Sequence, residues 1–543
     1  MTHREIVLVL VGLMSGLFLS ALDQTVVGTA MRTIADDLNG LSMQAWVTTA
    51  YLITSTVITP IASKLSDIFG RRPVYMTSIV IFLIGSIASG FAWSMWSLAA
   101  FRGLQGLGGG GLMSLAFTII GDMVAPRERA RYQGFFIAVF GSSSVLGPLV
   151  GGFFAGANEI LWIDGWRWVF LINIPIGAGA VYMVYRFLHV PQVKHNVAID
   201  WWGVVTSIVA VVPLLIVAEQ GREWGWTSAN ALTMYALGAA GIIGFIVAEK
   251  RMGQDALIPL SLFRSTTFSQ ITILGILIGF AMFGAMMTIP LFLQLVVGST
   301  PTESGIQMLP MVLGMMTATA AGGRIISKTG KYTMLPIIGT GLLFSSFLWL
   351  GQISKNSDLM FLMIGMLMVG LGLGLMMQTL TLASQNAVEP RLMGVATGAA
   401  TFFRQIGGTL GTAVLFSVLF GRIPEALKEI FSRTDTQTAI GDALRDPAIV
   451  NDPANASILD LYSSAGAGGD LTGSLSGNTS FLNGAAPVLK APFVEGFAVA
   501  AQSVYSVAIV VAGIAFVMSW FIKAEPLRSG SGHQEAAAAA SGH

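Results

Sequence analysis

Fourteen apolar stretches separated by mostly short polar connections take up most of the chain. They begin near residues 6, 45, 74, 95, 132, 168, 202, 229, 268, 304, 333, 358, 393 and 493. Each runs for about 18–28 residues, and a hydrocarbon core of about 30 Å takes about 20 helical residues to cross. With no water to satisfy backbone polar groups there, an α-helix is the form that suits runs of this length. The pattern predicts an all-α polytopic membrane protein with 14 transmembrane helices. One connection, 421–492, is long and polar, rich in Ala, Gly and Ser around 463–477 and mildly acidic. Within it Ile423, Ala426, Leu427, Ile430 and Phe431 have helical spacing, which suggests a helix lying on the outer interface.

The chain repeats itself. The connection after the second stretch reads Ser63-Lys64-Leu65-Ser66-Asp67-Ile68-Phe69-Gly70-Arg71-Arg72, and 260 residues later another reads Gly323-Arg324-Ile325-Ile326-Ser327-Lys328-Thr329-Gly330-Lys331-Tyr332. Basic residues and the turn glycine recur in register, while Asp67 becomes Ser327. Gly106-x-Gly108-x-Gly110 in the fourth stretch is echoed by Gly370-x-Gly372-x-Gly374 in the twelfth. Similar short basic loops can arise by chance, but the double correspondence favours a duplicated six-helix bundle. The expected organisation is a first bundle over 6–188, two inserted helices over 189–255, a second bundle over 256–522 and a tail over 523–543. Duplicated bundles of this kind characterise transporters that rock two halves about a midplane site.

Charge fixes the expected orientation. With a cytoplasmic N-terminus, inner loops carry clusters such as Lys64, Arg71 and Arg72, or Arg127, Arg129 and Arg131. The short outer loops carry only Arg32, Arg167, Arg222 and Lys355. The positive-inside rule then predicts that both termini are cytoplasmic. A composition that is 54% hydrophobic and 10% charged does not suit a soluble core, and a net charge of +1 offers no footing for nucleic acid. The chain has no cysteine, and its five histidines lie in tails or short loops, so neither a metal nor another cofactor is expected.

Ionisable groups at membrane depth are costly and therefore candidates for function. Asp23 is the carboxylate well inside a stretch, whereas Glu219, Glu249 and Glu495 fall near stretch ends and read as interfacial. Asp23 lies about 12 Å from the outer end of the first stretch and Arg102 about 10 Å from the outer end of the fourth, at 1.5 Å per residue. The two share a depth. They form either a static buried salt bridge or a proton site, in which desolvation and the neighbouring cation pull the carboxyl in opposite directions. Arg404 sits near mid-depth of the thirteenth stretch, about 17 Å in.

Leu22-Asp23-Gln24-Thr25-Val26-Val27, the loop from Lys64 to Arg72, Arg102-x-x-Gln105-Gly106-x-Gly108, Gly147-Pro148-x-x-Gly151-Gly152, Trp166-Arg167-Trp168-x-Phe170-x-Ile172-Asn173-x-Pro175-x-Gly177, Gln385-Asn386 and Phe403-Arg404-Gln405-x-Gly407-Gly408 occur in this order. In order and spacing the set resembles the 14-helix drug:proton antiporter family of the major facilitator superfamily, of the quaternary-ammonium and multidrug efflux type. Gly28, Met31 and Ser63 depart from residues usual in that family. The resemblance implies proton coupling at Asp23 and Arg102 and an inter-bundle gate at Asp67, Gly70, Arg71 and Arg72. It also implies an antiporter segment at Gly147, Pro148, Gly151 and Gly152. On the residues alone, that segment serves equally as a hinge or as ordinary small-residue packing. Asp67, at a helix C-terminus where the dipole disfavours an anion, is expected to pair with Arg71 and approach the N-terminus of the helix beginning near Met393.

Met and Phe, 27 and 32 residues, offer an adaptable apolar lining, although lipid contact accounts for many of them. Gln105, Gln294, Gln378, Arg404 and Gln405 are the candidate cavity groups. One buried acid against two buried bases favours neutral, zwitterionic, singly cationic or anionic lipophiles over dications. Gly106-x-Gly108-x-x-Gly111 mimics a dinucleotide fingerprint but lies inside an apolar stretch with no strand before it, so a nucleotide-driven pump is not expected. The expected activity is proton-coupled export of amphipathic compounds by a monomer in contact with membrane lipids. The alternatives are an exporter of a lipid or metabolite and, more remotely, an integral-membrane enzyme or receptor.

Overall fold

The computed structural model describes residues 3–38, 44–124, 126–188, 199–389, 392–466, 482 and 484–522. The first set of helices comprises α1 (His3–Asp37), α2 (Gln44–Phe69), α3 (Arg71–Gly90), α4 (Met95–Met123), α5 (Pro126–Gly156), α6 (Trp168–Leu171) and α7 (Asn173–Phe187). Next come α8 (Trp201–Trp224) and α9 (Ala229–Met252), which pack on each other. The second set contains α10 (Thr266–Phe292), α11 (Pro301–Gln307), α12 (Leu309–Thr329), α13 (Met334–Leu350), α14 (Leu359–Asn386) and α15 (Met393–Phe431). The short helices α16 (Thr434–Ala443), α17 (Pro447–Val450) and α18 (Ala456–Gly466) lead to α19 (Pro487–Ser519). Helix covers each of the fourteen apolar stretches. Ten helical segments among the described residues have the length and apolarity to cross a bilayer, and Thr266–Met282 and Met334–Leu350 are shorter apolar helices. A two-residue hairpin, β1 (Glu159–Ile160) with β2 (Ile163–Asp164), departs from the all-helical pattern.

Helix ends follow local chemistry. Ser94 and Ser97 form a capping box that starts α4, and Thr300 with Glu303 forms another that starts α11 behind Pro301. Gly70 and Gly330 end α2 and α12 with φ of 99° and 67°, a left-handed backbone that glycine adopts without a Cβ penalty. These two glycines hold the same place in the two repeated loops.

The glycine triplets likewise do the same work twice. A Cβ on Gly106 would lie 2.5 Å from the Tyr51 carbonyl of α2, and one on Gly108 would lie 2.5 Å from the Phe82 amide of α3. In the second set Gly370 abuts Met311 of α12, and a Cβ on Gly372 would lie 2.8 Å from the Gly339 carbonyl of α13. In each set one helix is thus pressed between two others, backbone to backbone, through glycines on alternating sides. Without a hydrophobic drive between helices in lipid, such close approach is a main source of packing energy. The sets meet reciprocally: α2 packs on α15 and α5 on α12.

Three clusters of buried apolar side chains lie within one set or the other, and a fourth joins them. It combines Val57 and Ile61 of α2 with Val395, Ala399 and Phe402 of α15 and with Leu257 and Leu262 from the segment after α9. This shared cluster sits at the end of the molecule that carries the repeated basic loops. Large apolar side chains such as Ile84, Ile243, Leu313, Ile338 and Val510 are exposed, which suits surface turned to lipid.

Two expectations need correcting. Ile423, Ala426, Leu427 and Ile430 belong to an unbroken α15 and are buried. Phe431 contacts Phe493 of α19 and Tyr462 of α18, so the apolar stripe faces protein and not a membrane interface. Glu249 is not interfacial: it is 1% exposed, and its Oε2 accepts from the Ile258 amide at 3.1 Å. The chain folds back over the end of α9 and covers it. Glu495 is partly exposed and bridges Lys355 and Arg433 at 2.5 and 2.6 Å. The side chains of Glu219 and Pro148, residues 189–198 with His189 and His195, and the tail from Lys523 lie outside the described residues.

Candidate functional site

Five helices of the first set close around one carboxylate. Asp23 of α1 is 1% exposed and Arg102 of α4 is 2% exposed, and the two form an ion pair. The other carboxylate oxygen accepts from Gln105 Nε2 at 2.9 Å and from Asn173 Nδ2 of α7 at 3.0 Å. Both amides also donate to Ser86 Oγ of α3, at 3.1 and 2.8 Å, and Ser86 donates to the Phe170 carbonyl. Arg102 Nη1 reaches Gln105 Oε1 at 2.6 Å, and its guanidinium lies 4.4 Å from the centre of the Tyr51 ring of α2. Tyr51 is bonded in turn to Ser20, three residues before Asp23. Gly85 permits the arrangement, since a Cβ there would lie 2.6 Å from the Gln105 amide nitrogen.

A buried carboxylate survives in low dielectric only with its lone pairs occupied and its charge answered. Here both conditions are met by this chain alone. Arg102 Nε and Asn173 Oδ1 are the buried polar atoms of the cluster left without a partner, a small reserve of unmade bonds beside the ion pair. Three donors from α4 and α7 thus converge on the Asp23 carboxylate of α1 and tie the three helices together.

Thr25, two residues beyond Asp23, donates to the Ser143 carbonyl of α5 at 3.0 Å. Gly147 and Gly151 make that contact possible: their added Cβ atoms would meet the Thr25 side chain and the Val26 carbonyl, whereas Gly152 faces open space. The glycines of this segment thus press α5 against α1 next to the carboxylate.

At the basic-loop end, Arg71 pairs with Asp67, reaches Asp122 Oδ2 of α4 at 2.6 Å and donates to Ser66 Oγ. Gly394, in the first turn of α15, sits against this group; a Cβ there would lie 2.8 Å from both Arg71 Nη2 and Asp67 Oδ2. Gly398 likewise faces Ser63 and Pro60. Arg72 points elsewhere: it donates to the Tyr185 carbonyl at 2.6 Å and covers that ring, fastening α3 to α7.

The candidate cavity residues fall at different places in the fold. Gln105 belongs to the Asp23 cluster. Gln405 of α15 accepts from Thr59 of α2 at 3.1 Å, a contact between the two sets. Gln378 is buried against Gly322 of α12, and Gln294 is half-buried in the π-turn at the end of α10. Arg404 lines a cavity enclosed by α10, α14 and α15. Sequence reasoning missed Ser86, Asn173, Tyr51 and Asp122. Asn173 stands in a quoted motif without a role, and the other three are single polar residues in apolar surroundings.

Residues 13–412 match the profile described as the Major Facilitator Superfamily. The chain is 40% identical over 418 residues to the "Multidrug transporter protein MdtP" of Bacillus subtilis, covering 76% of this chain and 75% of that one. It is 34% identical to "Multidrug resistance protein 3" of the same organism, covering 78% of this chain and 81% of the relative. Among solved structures the proton:xylose symporter XylE superposes with a TM-score of 0.59 at 14% identity, over 99% of this chain and 100% of that one, which establishes likeness of fold. A family of transporters and not of enzymes, named multidrug relatives, and helices built to cross a bilayer agree with one another: this chain is a polytopic membrane protein of the Major Facilitator Superfamily.

Proposed function

We infer that the chain exports lipophilic and amphipathic small molecules across a bacterial cytoplasmic membrane in exchange for protons. The observation that carries this reading is the Asp23 cluster, a dry carboxylate held by donors from α4 and α7 that α2 and α3 brace, and therefore sensitive to how those helices sit. In the cycle Asp23 takes a proton from the outer side, which releases Arg102 and the two amides and loosens α1 from α4 and α7. Return of the proton to the cytoplasm re-forms the ion pair. The bundles over 6–188 and 256–522 rock about the centre, with 189–255 inserted between them and both termini in the cytoplasm.

On this orientation the packed end is cytoplasmic. The Asp67, Arg71 and Asp122 group against Gly394, and the shared apolar cluster beside it, form a closed inner gate. Bacillus relatives named as multidrug transporters support export of drug-like cargo. A second reading, with membrane lipid as cargo, is favoured by an apolar groove open to the lipid face between α1 and α5, lined by Val7, Leu10, Val11, Met14 and Phe18 of α1 and Phe135 of α5.

The test is substrate flux in proteoliposomes driven by an imposed proton gradient, with a lipophilic dye as cargo. Asp23→Asn is expected to abolish gradient-driven flux while the purified protein still folds. Full gradient-driven flux in that variant would remove Asp23 from the mechanism, and mass spectrometry of co-purified lipids separates drug from lipid as the ordinary cargo.

A further inference from the structure

The second set of helices holds a buried charge that nothing among the described residues answers. Arg404 is 8% exposed, and among the described residues its guanidinium has neither an ion-pair nor a hydrogen-bond partner. The helices around it cannot supply one. α10 and α14 contain no Asp or Glu, and the carboxylates of α15, Glu425 and Glu429, lie more than twenty residues further along, about 30 Å away at the helical rise. A guanidinium does not shed its proton in proteins, so neutralisation by deprotonation is closed to it. A bare cation at this depth is expensive and calls for a counter-charge.

The space beside Arg404 is a small cavity lined by Gly275 of α10, Thr381 and Ser384 of α14, and Thr397 and Thr401 of α15. Three of these hydroxyls are already committed: Thr381, Ser384 and Thr397 donate to the carbonyls of Met377, Thr381 and Met393 at 3.0, 2.9 and 2.7 Å. The Thr401 hydroxyl has no hydrogen-bond partner among the described residues, and the residue is buried. It stands three residues before Arg404 and so on the same helix face. A guanidinium and a free hydroxyl therefore share the wall of one cavity, both with protons to give.

We propose that Arg404 and Thr401 form a binding site for a compact monovalent anion, of the halide or carboxylate type. One guanidinium balances one negative charge; a dianion would leave an excess as costly as the one it removed. The anion arrives either as a free ion or as the charged end of a lipophilic molecule. In the second form the inference rests on the export reading above and adds anionic amphiphiles to the cargo.

The test measures binding to the purified full-length chain in detergent, by thermal shift at constant ionic strength, with chloride, octanoate and neutral octanol as probes. Chloride or octanoate is expected to raise the unfolding temperature of the wild type while octanol does not. Arg404→Gln is expected to weaken the apparent affinity about tenfold or more, and Thr401→Val severalfold, as for loss of a charge-assisted and a neutral hydrogen-bond donor. Octanoate that chloride displaces identifies a free-ion site; octanoate that chloride does not displace identifies a site for the end of a lipophile. Either supports the proposal. Equal shifts with octanol and octanoate, no shift with any anion, or unchanged affinity in the variants overturns it. Should Arg404→Gln fail to fold, Thr401→Val and the octanol comparison decide. The readout is binding and not flux, so it stands or falls separately from the Asp23→Asn experiment.

Discussion

The two sets of helices each bury an arginine within a long apolar helix, and they treat it in opposite ways. In the first, Arg102 faces Asp23, Gln105 and the Tyr51 ring, and the carboxylate is further held by Asn173. In the second, Arg404 faces a cavity with no nearby acid on any of the surrounding helices. The two sets share local packing devices, the paired glycine triplets and the loop glycines Gly70 and Gly330. The two sets differ in how that charge is balanced. One balances it internally, with the Asp23 carboxylate. The other shows no balancing group for Arg404 among the described residues. The loops repeat the lesson: Asp67 locks Arg71 in the first half, while Ser327 in the equivalent place only bonds its own helix at the Arg324 carbonyl.

The largest expected effect breaks the comparison directly. Arg102→Met leaves a buried carboxylate unanswered and is expected to cost about 3–5 kcal/mol of stability, whereas Arg404→Met removes an unanswered charge and leaves stability unchanged or raised. Thermal unfolding of the two purified variants without added anion checks this, and equal losses would mean that both arginines are structurally alike. Next in size is a double-mutant cycle on Asp23→Asn and Arg102→Gln. The pair is expected to couple by about 0.5–3 kcal/mol, with the double variant more stable than the sum of the single changes implies. The same cycle on Asp23 and Arg404 is expected to add within error.

Gly394→Leu should pry the gate group from α15 at a cost of about 1–3 kcal/mol to the closed arrangement. Because the chain has no cysteine, single cysteines placed on α2 and α15 near the basic loops report the opening by their labelling rate, which is expected to rise. The smallest effect concerns the seam between the halves. Thr59→Val removes the hydrogen bond to Gln405 and is expected to cost about 1 kcal/mol, read in the same labelling assay as a slight shift toward the open gate.

Much of this is legible in the sequence because membranes impose simple periodicity. Apolar run length places the helices, and equal depth puts Asp23 and Arg102 together before any packing is known. The repeat of Gly70 at Gly330 marks equivalent turns. What stays hidden depends on which helix faces meet. Ser86, Asn173 and Tyr51 lie on three different helices, and only the packing of α2 and α3 on α4 and of α7 on α1 and α3 brings them to one cluster. Gln105 reads as a cavity group because its amide looks free along the chain; its neighbours across Gly85 show why it is not. Glu249 looks interfacial by position, but the fold-back at Ile258 depends on a loop conformation that no helical period encodes. The stripe on 423–431 is helical as its spacing indicates, yet its partner is protein, because an amphipathic face looks the same whether lipid or α19 covers it.

α15 runs without interruption for 39 residues, about 58 Å at the helical rise. Gly394 touches Asp67 and Arg71 at one end, Arg404 overlooks its cavity further in, and Leu427 rests on Gly496 toward the other end. In the export cycle proposed above such a rod serves as a lever, with its fulcrum close to the unanswered charge. An anion seated there would stiffen the pivot, so that swinging the inner end away from Arg71 obliges the opposite arm and the helices stacked on it to travel the other way.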